Sequence, residues 1–484
     1  MPRLNLLKSS AYYSLARGGY LLILVLIFGS VFFTMAASFM GYVVTQSQVI
    51  NQRVELQRAG DIAEAGLNYY RWHLAHYPNN TTDGTGLPGP YIHVYNDPEF
   101  GPIGEFSLTV ASSTYCGDVT SIDVTSTGST YNQPGIKRTF TARYSRPTVA
   151  EYSFIINANV WAGSSRVIIG PYHSNGGIRM DGRNVSTVTG GQATWTCTAS
   201  FGCSPNAVRN GVFTTTANAN PALFSYPAAP INFTGLSVDL SRIQDRAQNG
   251  GGIFVAPSGS SGYRLTFNSN NTVTVRRVTN TQQYWGYSIE EGDKLERHVI
   301  TNSTLVNTYA INPSCPLIFV QDKVWLDGVV DKKVSLAAAD MTSVVINPSI
   351  ILNGNITYTS SSTSGLLAIA EDSVLIGVVV PNNMTANGIY IAQNGRFGRN
   401  HYVTAGGTAL PNSLSTYKLR DSFDMNGTIV SNGRVGTQWT SAGVPVSGFL
   451  VSNNTYDRNL VSSPPPLIPK TSDVYEMTDW REVR

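Results

Sequence analysis

The stretch YLLILVLIFGSVFFTMAASFMGYVV, residues 20–44, decides the architecture. It carries no charged residue and is longer than the roughly 20 apolar residues a helix needs to span a bilayer. Arg3, Lys8 and Arg17 precede it without an acidic residue, and the first charge after it is Arg53. The positive-inside rule therefore expects a short cytoplasmic N-terminus and an extracytoplasmic remainder, a single-pass plasma-membrane topology with lipid as the first partner. A cleaved secretory signal is the alternative, with small residues around Thr34-Met35-Ala36. A signal's apolar region, however, runs only about 7 to 15 residues.

Beyond the span, Val49, Leu56, Ala59, Ala63, Gly66, Tyr70 and Leu74 recur at spacings of three, four and seven, which places them on one helical face. Arg53, Glu55, Arg58, Asp61 and Arg71 lie off that stripe. No proline interrupts the chain before Pro78, so one helix is expected over 20–77, about 85 Å long at 1.5 Å per residue. Half would sit in lipid and half would carry the rest of the protein. The stripe does not name its partner, which is either the chain's own head or a neighbouring helix.

Arg17-Gly18-Gly19-Tyr20, the apolar run, and Ala63-Glu64-Ala65-Gly66-Leu67 at the far end of the same helix resemble type IV pilin-like proteins of the PilX-type, minor-pilin group. The resemblance implies a basic leader, residues 1–19, that a prepilin peptidase removes after Gly19, leaving Tyr20 as the methylated first residue. It also implies an N-terminal helix that packs against other pilin subunits. Pilins usually carry a glutamate at the fifth mature position, where it neutralises a neighbour's terminal amine; here that position is Leu24. An unpaired amine is costly in hydrocarbon, so a tip or low-abundance subunit fits the resemblance better than a repeated one.

The composition agrees with an exported β-rich head. Charged residues make up only 13% of the 484, against 42% hydrophobic, with 45 Gly and 25 Tyr. A net charge of +3 with dispersed basic residues provides no stripe for nucleic acid, which is excluded as a partner class. Cys116, Cys197, Cys203 and Cys315 show no C-x-x-C spacing, so disulfides are a better reading than zinc. Cys197 and Cys203 could close a short loop, with Cys116 and Cys315 paired or free; four cysteines allow three connectivities.

GEFSLTVASS (104–113), VTSIDVTSTGST (119–130) and IKRTFTARYSRP (136–147) alternate apolar and polar residues around turns, so a small antiparallel sheet is expected over 78–150. Thr125-Ser126-Thr127-Gly128 and Arg138-Thr139-Phe140 resemble the sheet that follows a pilin helix. From about 151 to 440, short β runs closed by Gly or Asn recur: VIIGPYHSNGGIRMDG, KVWLDGVVDKKVSLAAAD, SVVINPSIILNGNITY, DSVLIGVVVPNNM and GIYIAQNGRFG. They predict a right-handed parallel β-helix, with Gly170-Pro171-Tyr172-His173-Ser174-Asn175-Gly176 echoed by Gly427-Thr428-Ile429-Val430-Ser431-Asn432-Gly433. A β-sandwich is the alternative, because strict periodicity is missing. Residues 231–312 read as a helix-and-hairpin excursion on the solenoid's side, and 441–484 as a tail that caps its last coil. The fold class is thus mainly β with one long N-terminal α-helix.

The chemistry-bearing residues do not assemble into a catalytic pattern. Asp322, Asp327 and Asp331, and Glu290, Glu291 and Asp293, are close in sequence, but they sit in ordinary turn compositions. His73, His76, His93, His173, His298 and His401 show no metal-ligand spacing. There is no G-x-S-x-G elbow or phosphate-cradling G-x-x-x-x-G-K. No catalytic residue, cofactor or metal is therefore assigned. Trp161, Trp195, Trp285 and Trp325 are candidates for a surface-carbohydrate face. The expectation is a non-enzymatic, adhesive, pilin-like minor or tip subunit. The alternatives are a membrane-tethered carbohydrate-active enzyme and a plain membrane-anchored envelope protein.

Overall fold

The 59-residue helix α1, Gly18–His76, runs without a break from the apolar span into the head. In the computed structural model, residues 18–233, 240–342, 347–404 and 406–483 are described. Apart from Gly18 and Gly19, the leader assigned to 1–19 therefore lies outside the described residues.

The C-terminal part of α1 lies on an antiparallel sheet of β1 (Tyr91–Asp97), β2 (Gly101–Tyr115), β3 (Asp118–Thr130), β4 (Lys137–Ser145) and the chain's last strand, Glu476–Val483. Period-two alternation turns Phe106, Leu108, Ile122, Val124, Phe140, Ala142 and Tyr144 toward the helix. They meet Ile62, Ala63, Leu67, Tyr70 and Leu74 in one core. On the opposite face, cross-strand Thr125–Thr141 and Thr127–Thr139 hydroxyl pairs lie at 3.1 and 3.0 Å. The Tyr144 hydroxyl donates to the Leu67 carbonyl at 2.7 Å, tying sheet to helix.

Among the described residues, beside a two-stranded and a three-stranded sheet, most of the remaining strands form a large mixed sheet of 21 strands. Its central ladder is parallel throughout, from Phe224–Ser225 at one end to Ile253–Val255 at the other. The chain enters this ladder in the middle. Phe154–Ile156 starts one series, which steps outward through Tyr172–Ser174 and Val188–Gly190 to Phe224–Ser225. The chain then crosses to the opposite end at Ile253–Val255 and returns by way of Leu317–Val320, Lys333–Ala338, Gly365–Ala370 and Asn383–Ala392. It closes on its own starting strand, because Leu419–Ser431 pairs with Phe154–Ile156. Much of the expected excursion over 231–312 is thus part of the large sheet, since Ile253–Val255 and Gly262–Asn268 pair in parallel with Leu317–Val320 and Val324–Val330. Within that stretch the helix Leu240–Asn249 lies along the ladder, with Leu240, Ile243 and Ala247 packed on its outer face.

Strands of this ladder are apolar on both faces because both are covered. Every residue of Gly365–Ala370 is buried. Leu366, Ala368 and Ala370 point into the main core, while Leu367 and Ile369 meet the helix side. The long strands Asn383–Ala392 and Leu419–Ser431 bend at Gly388 and Gly427, which are register partners with φ of +143° and +144°. A side chain at Gly427 would also overlap the Gly388 backbone, so both positions need glycine. The sequence echo falls at one corner of the stack: Ser174, Ile156 and Ser431 are in register. Beside them Asn175 donates to Asn157 at 2.8 Å, and Asn157 donates to Asn432 at 2.9 Å.

The tail follows a different course from a simple cap. Val444–Thr455 belongs to the large sheet, pairing with Leu419–Ser431 and Arg166–Ile169. Leu460 and Ile468 then cover the ladder's outer face, and Glu476–Val483 returns to pair with β4. The Cys116–Cys315 disulfide makes a second link between the small sheet and the head.

Candidate functional site

The first functional element is α1 itself. From Tyr20 to His76 it is the one helix among the described residues long and apolar enough to cross a membrane, and its most apolar window is 0% buried. Phe28, Phe32, Phe33, Phe39 and Met40 all project free of the protein. Gly19 and Tyr20 lie in its first turns. Leu24 sits within the same uncovered stretch, 38% exposed.

The helix meets the head only from Glu55 onward. Of the residues on the amphipathic stripe, Ala59, Ala63, Gly66 and Tyr70 are buried against the small sheet, whereas Val49 and Leu56 remain exposed at 37% and 44%. The reason is length: the sheet ends near Thr130, whose hydroxyl donates to Glu55 at 2.5 Å, and nothing among the described residues reaches further down the helix. At the far end Asp83, held at φ +52°, anchors the loop after α1. It pairs with His93 at 2.6 Å and accepts from the Tyr69 hydroxyl at 3.0 Å. Burial, with the Asp83 carboxylate beside it, pushes the Tyr69 phenol up to about 12.

The carboxylates singled out in the sequence are engaged separately. Asp322 accepts from Ser258, Asp327 pairs with Arg264 at 2.9 Å and accepts from Thr266 at 2.8 Å, and Asp331 accepts from Thr359 at 2.7 Å. Glu290 faces Arg396 and Glu291 pairs with Lys294, while Asp293 lines a small surface pocket. No group of three metal-ligating side chains gathers among the described residues. Cys197 and Cys203 are joined, with Cα atoms 5.7 Å apart, beneath Trp195.

The tryptophans divide. Trp325 and Trp195 are buried in cores, and Trp161 is covered by Arg179 and donates to Asp181 at 2.9 Å. Trp285, half-buried like Trp161, lies on the long hairpin of Thr272–Ser288 and Gly292–Ala310 with one flank on a small surface pocket. Under that flank lies a buried network with no sequence signature. Glu296 accepts from the side chains of Asn400 and Tyr402 and faces His298 at 3.2 Å. Burial alone would raise the Glu296 pKa, but bonds from His298 and Asn400 outweigh it and hold the carboxyl below its ordinary range. Asn400 and Tyr402 lie about 100 residues from Glu296 in the chain, so no local spacing could reveal those contacts.

No family model and no curated protein matches the sequence. Among solved structures, the chain is similar to the competence-associated pilin ComZ from Thermus thermophilus, at 13% identity over 89% of this chain and 97% of that one, with a TM-score of 0.28. A likeness at that score does not establish a common fold.

Proposed function

We propose that this chain is a pilin-like, non-catalytic surface subunit, anchored in the membrane by α1 and displaying its β-rich part outside the cell as an adhesive head. One observation carries the reading: a single unbroken helix is divided between an uncovered apolar half and a half docked on an antiparallel sheet. A plain anchor has no need to stiffen into the head, whereas a subunit that packs beside others through its helix does. The exposed Val49 and Leu56 below the sheet extend the apolar surface available to neighbouring subunits. Leu24 in place of an acidic residue favours a minor or tip position, where no further subunit's amine must be neutralised. In this reading the parallel ladders are the sides of a β-helix, a rigid stalk for presenting ligand-binding surfaces. Asp322, Asp327 and Asp331 are each engaged by a different neighbour, Ser258, Arg264 and Thr359, in keeping with structural roles at turns. The partners proposed are lipid, prepilin peptidase, other pilin subunits and surface carbohydrate.

The test is the N-terminal residue of protein recovered from membranes, read by terminal-peptide mass spectrometry with and without the prepilin peptidase. A mature chain beginning at methylated Tyr20, only when the peptidase is present, is expected. An intact Met1 would reduce α1 to a plain anchor, and a start near Ala37 would make the head a secreted protein and end the pilin reading.

A further inference from the structure

Trp285 and Tyr287 are two residues apart on one strand and therefore share a face. Directly across the hairpin stand Leu295 and Asp293, opposite Trp285 and Tyr287 respectively. A second wall is brought up by an isolated bridge between Tyr287 and His401, with backbone bonds of 3.0 and 2.9 Å. Thr408 completes a pocket of about 210 Å³.

The pocket is backed by fixed groups. Glu296 and its partners Asn400 and Tyr402 lie behind the hairpin, and a side chain at Gly286 would collide with the Glu296 carboxylate. Trp439 braces the His401 wall, its ring 5.4 Å from the imidazole and its N–H donating to the Arg399 carbonyl at 2.9 Å. Burial and the nearby Lys418 lower the His401 pKa, so at neutral pH the imidazole both donates and accepts. Among the described residues, by contrast, no ring stacks on the Trp285 indole and no group accepts a hydrogen bond from its N–H.

A half-open aromatic face rimmed by a carboxylate, an imidazole and a hydroxyl matches a molecule with one apolar C–H face and a belt of hydroxyls. The volume is below the roughly 300–1,000 Å³ of pockets for drug-sized ligands, which restricts it to about one ring. Asp293 repels phosphates and other anions. We propose that this pocket binds a single neutral pyranose ring of a surface glycan, its C–H face on Trp285 and its hydroxyls on Asp293, His401 and Thr408. The proposal deepens the adhesive reading and rests on the head being displayed outside the cell.

The test uses the full chain in lipid nanodiscs free of glycoside detergents, with glucose, galactose, mannose and N-acetylglucosamine as probes in saturation-transfer NMR. At least one sugar should receive magnetisation from the protein, with affinity reduced about tenfold or more by Trp285→Ala and by the exposed Asp293→Ala. Trp72→Ala, at a half-exposed tryptophan on α1, should leave binding unchanged. Transfer to none of the four sugars, or transfer indifferent to both pocket variants, overturns the proposal. Sugar binding by a chain that is not cut at Gly19 would keep the site and remove the pilin-type reading; cutting at Gly19 without sugar binding would do the reverse.

Discussion

At Gly128 the absence of a side chain lets α1 lie close against β3. A methyl group there would overlap the Ala59 carbonyl oxygen and crowd the Ala63 backbone. Gly128→Ala should therefore cost about 1–3 kcal/mol, the usual range for overpacking, read as a lowered midpoint in denaturant unfolding. An unchanged midpoint would mean that the helix lies differently on the sheet. Glu296 makes a second prediction. Its folded pKa lies below the ordinary 4.5, so between the two values the unfolded chain binds more protons than the folded one. Its contribution is complete above about 4.5 and is lost as pH falls through the depressed value. Glu296→Gln should lower stability at pH 7 by about 1–3 kcal/mol and flatten the acid limb of the stability curve. An acid limb as steep as that of the parent would place the responsible group elsewhere. The sequence named Gly128 only as part of a sheet-like Thr-Ser-Thr-Gly run, with no sign of its contact with α1, and it did not mark Glu296, which lies in a polar strand whose partners Asn400 and Tyr402 come from a distant loop.

Among elements, the two disulfides do different amounts of work. Cys197 and Cys203 are 6 residues apart and Cys116 and Cys315 are 199 apart. On the loop-entropy account the short closure is worth about 2 kcal/mol and the long one about 5 kcal/mol. Cys116→Ser with Cys315→Ser should thus destabilise more than Cys197→Ser with Cys203→Ser, compared by denaturant midpoints. The reverse order would show that the last strand on β4 already holds the small sheet to the head. The elements themselves were legible to different degrees. Helix α1 was plain because an uncharged run and a proline-free stripe both act over many residues, and the alternation of β2, β3 and β4 was plain because one face of their sheet is buried. The double burial of Gly365–Ala370 erased alternation there, and that strand is absent from the β runs read from the sequence.

For the molecule as a whole, the order of strands in space departs from their order in sequence. Phe154–Ile156 sits mid-ladder beside Leu419–Ser431, and Glu476–Val483 returns past the head to join a sheet begun at Tyr91. Such pairings join residues hundreds of positions apart, and backbone hydrogen bonds carry no sequence label, so no pattern in either strand announces its partner. The same holds for Trp285, which was one of four candidate tryptophans until burial withdrew Trp195 and Trp325 and Arg179 covered Trp161. By itself the sequence determined the apolar helix, the mainly β class and the small alternating sheet, because hydrophobic periodicity is a local record of which side of an element avoids water. Only the tertiary structure decided where α1 leaves its sheet, which way the stack is threaded and which polar groups stand around Trp285. Those outcomes depend on contacts between distant segments, where shape and burial select among partners that are chemically equivalent along the chain.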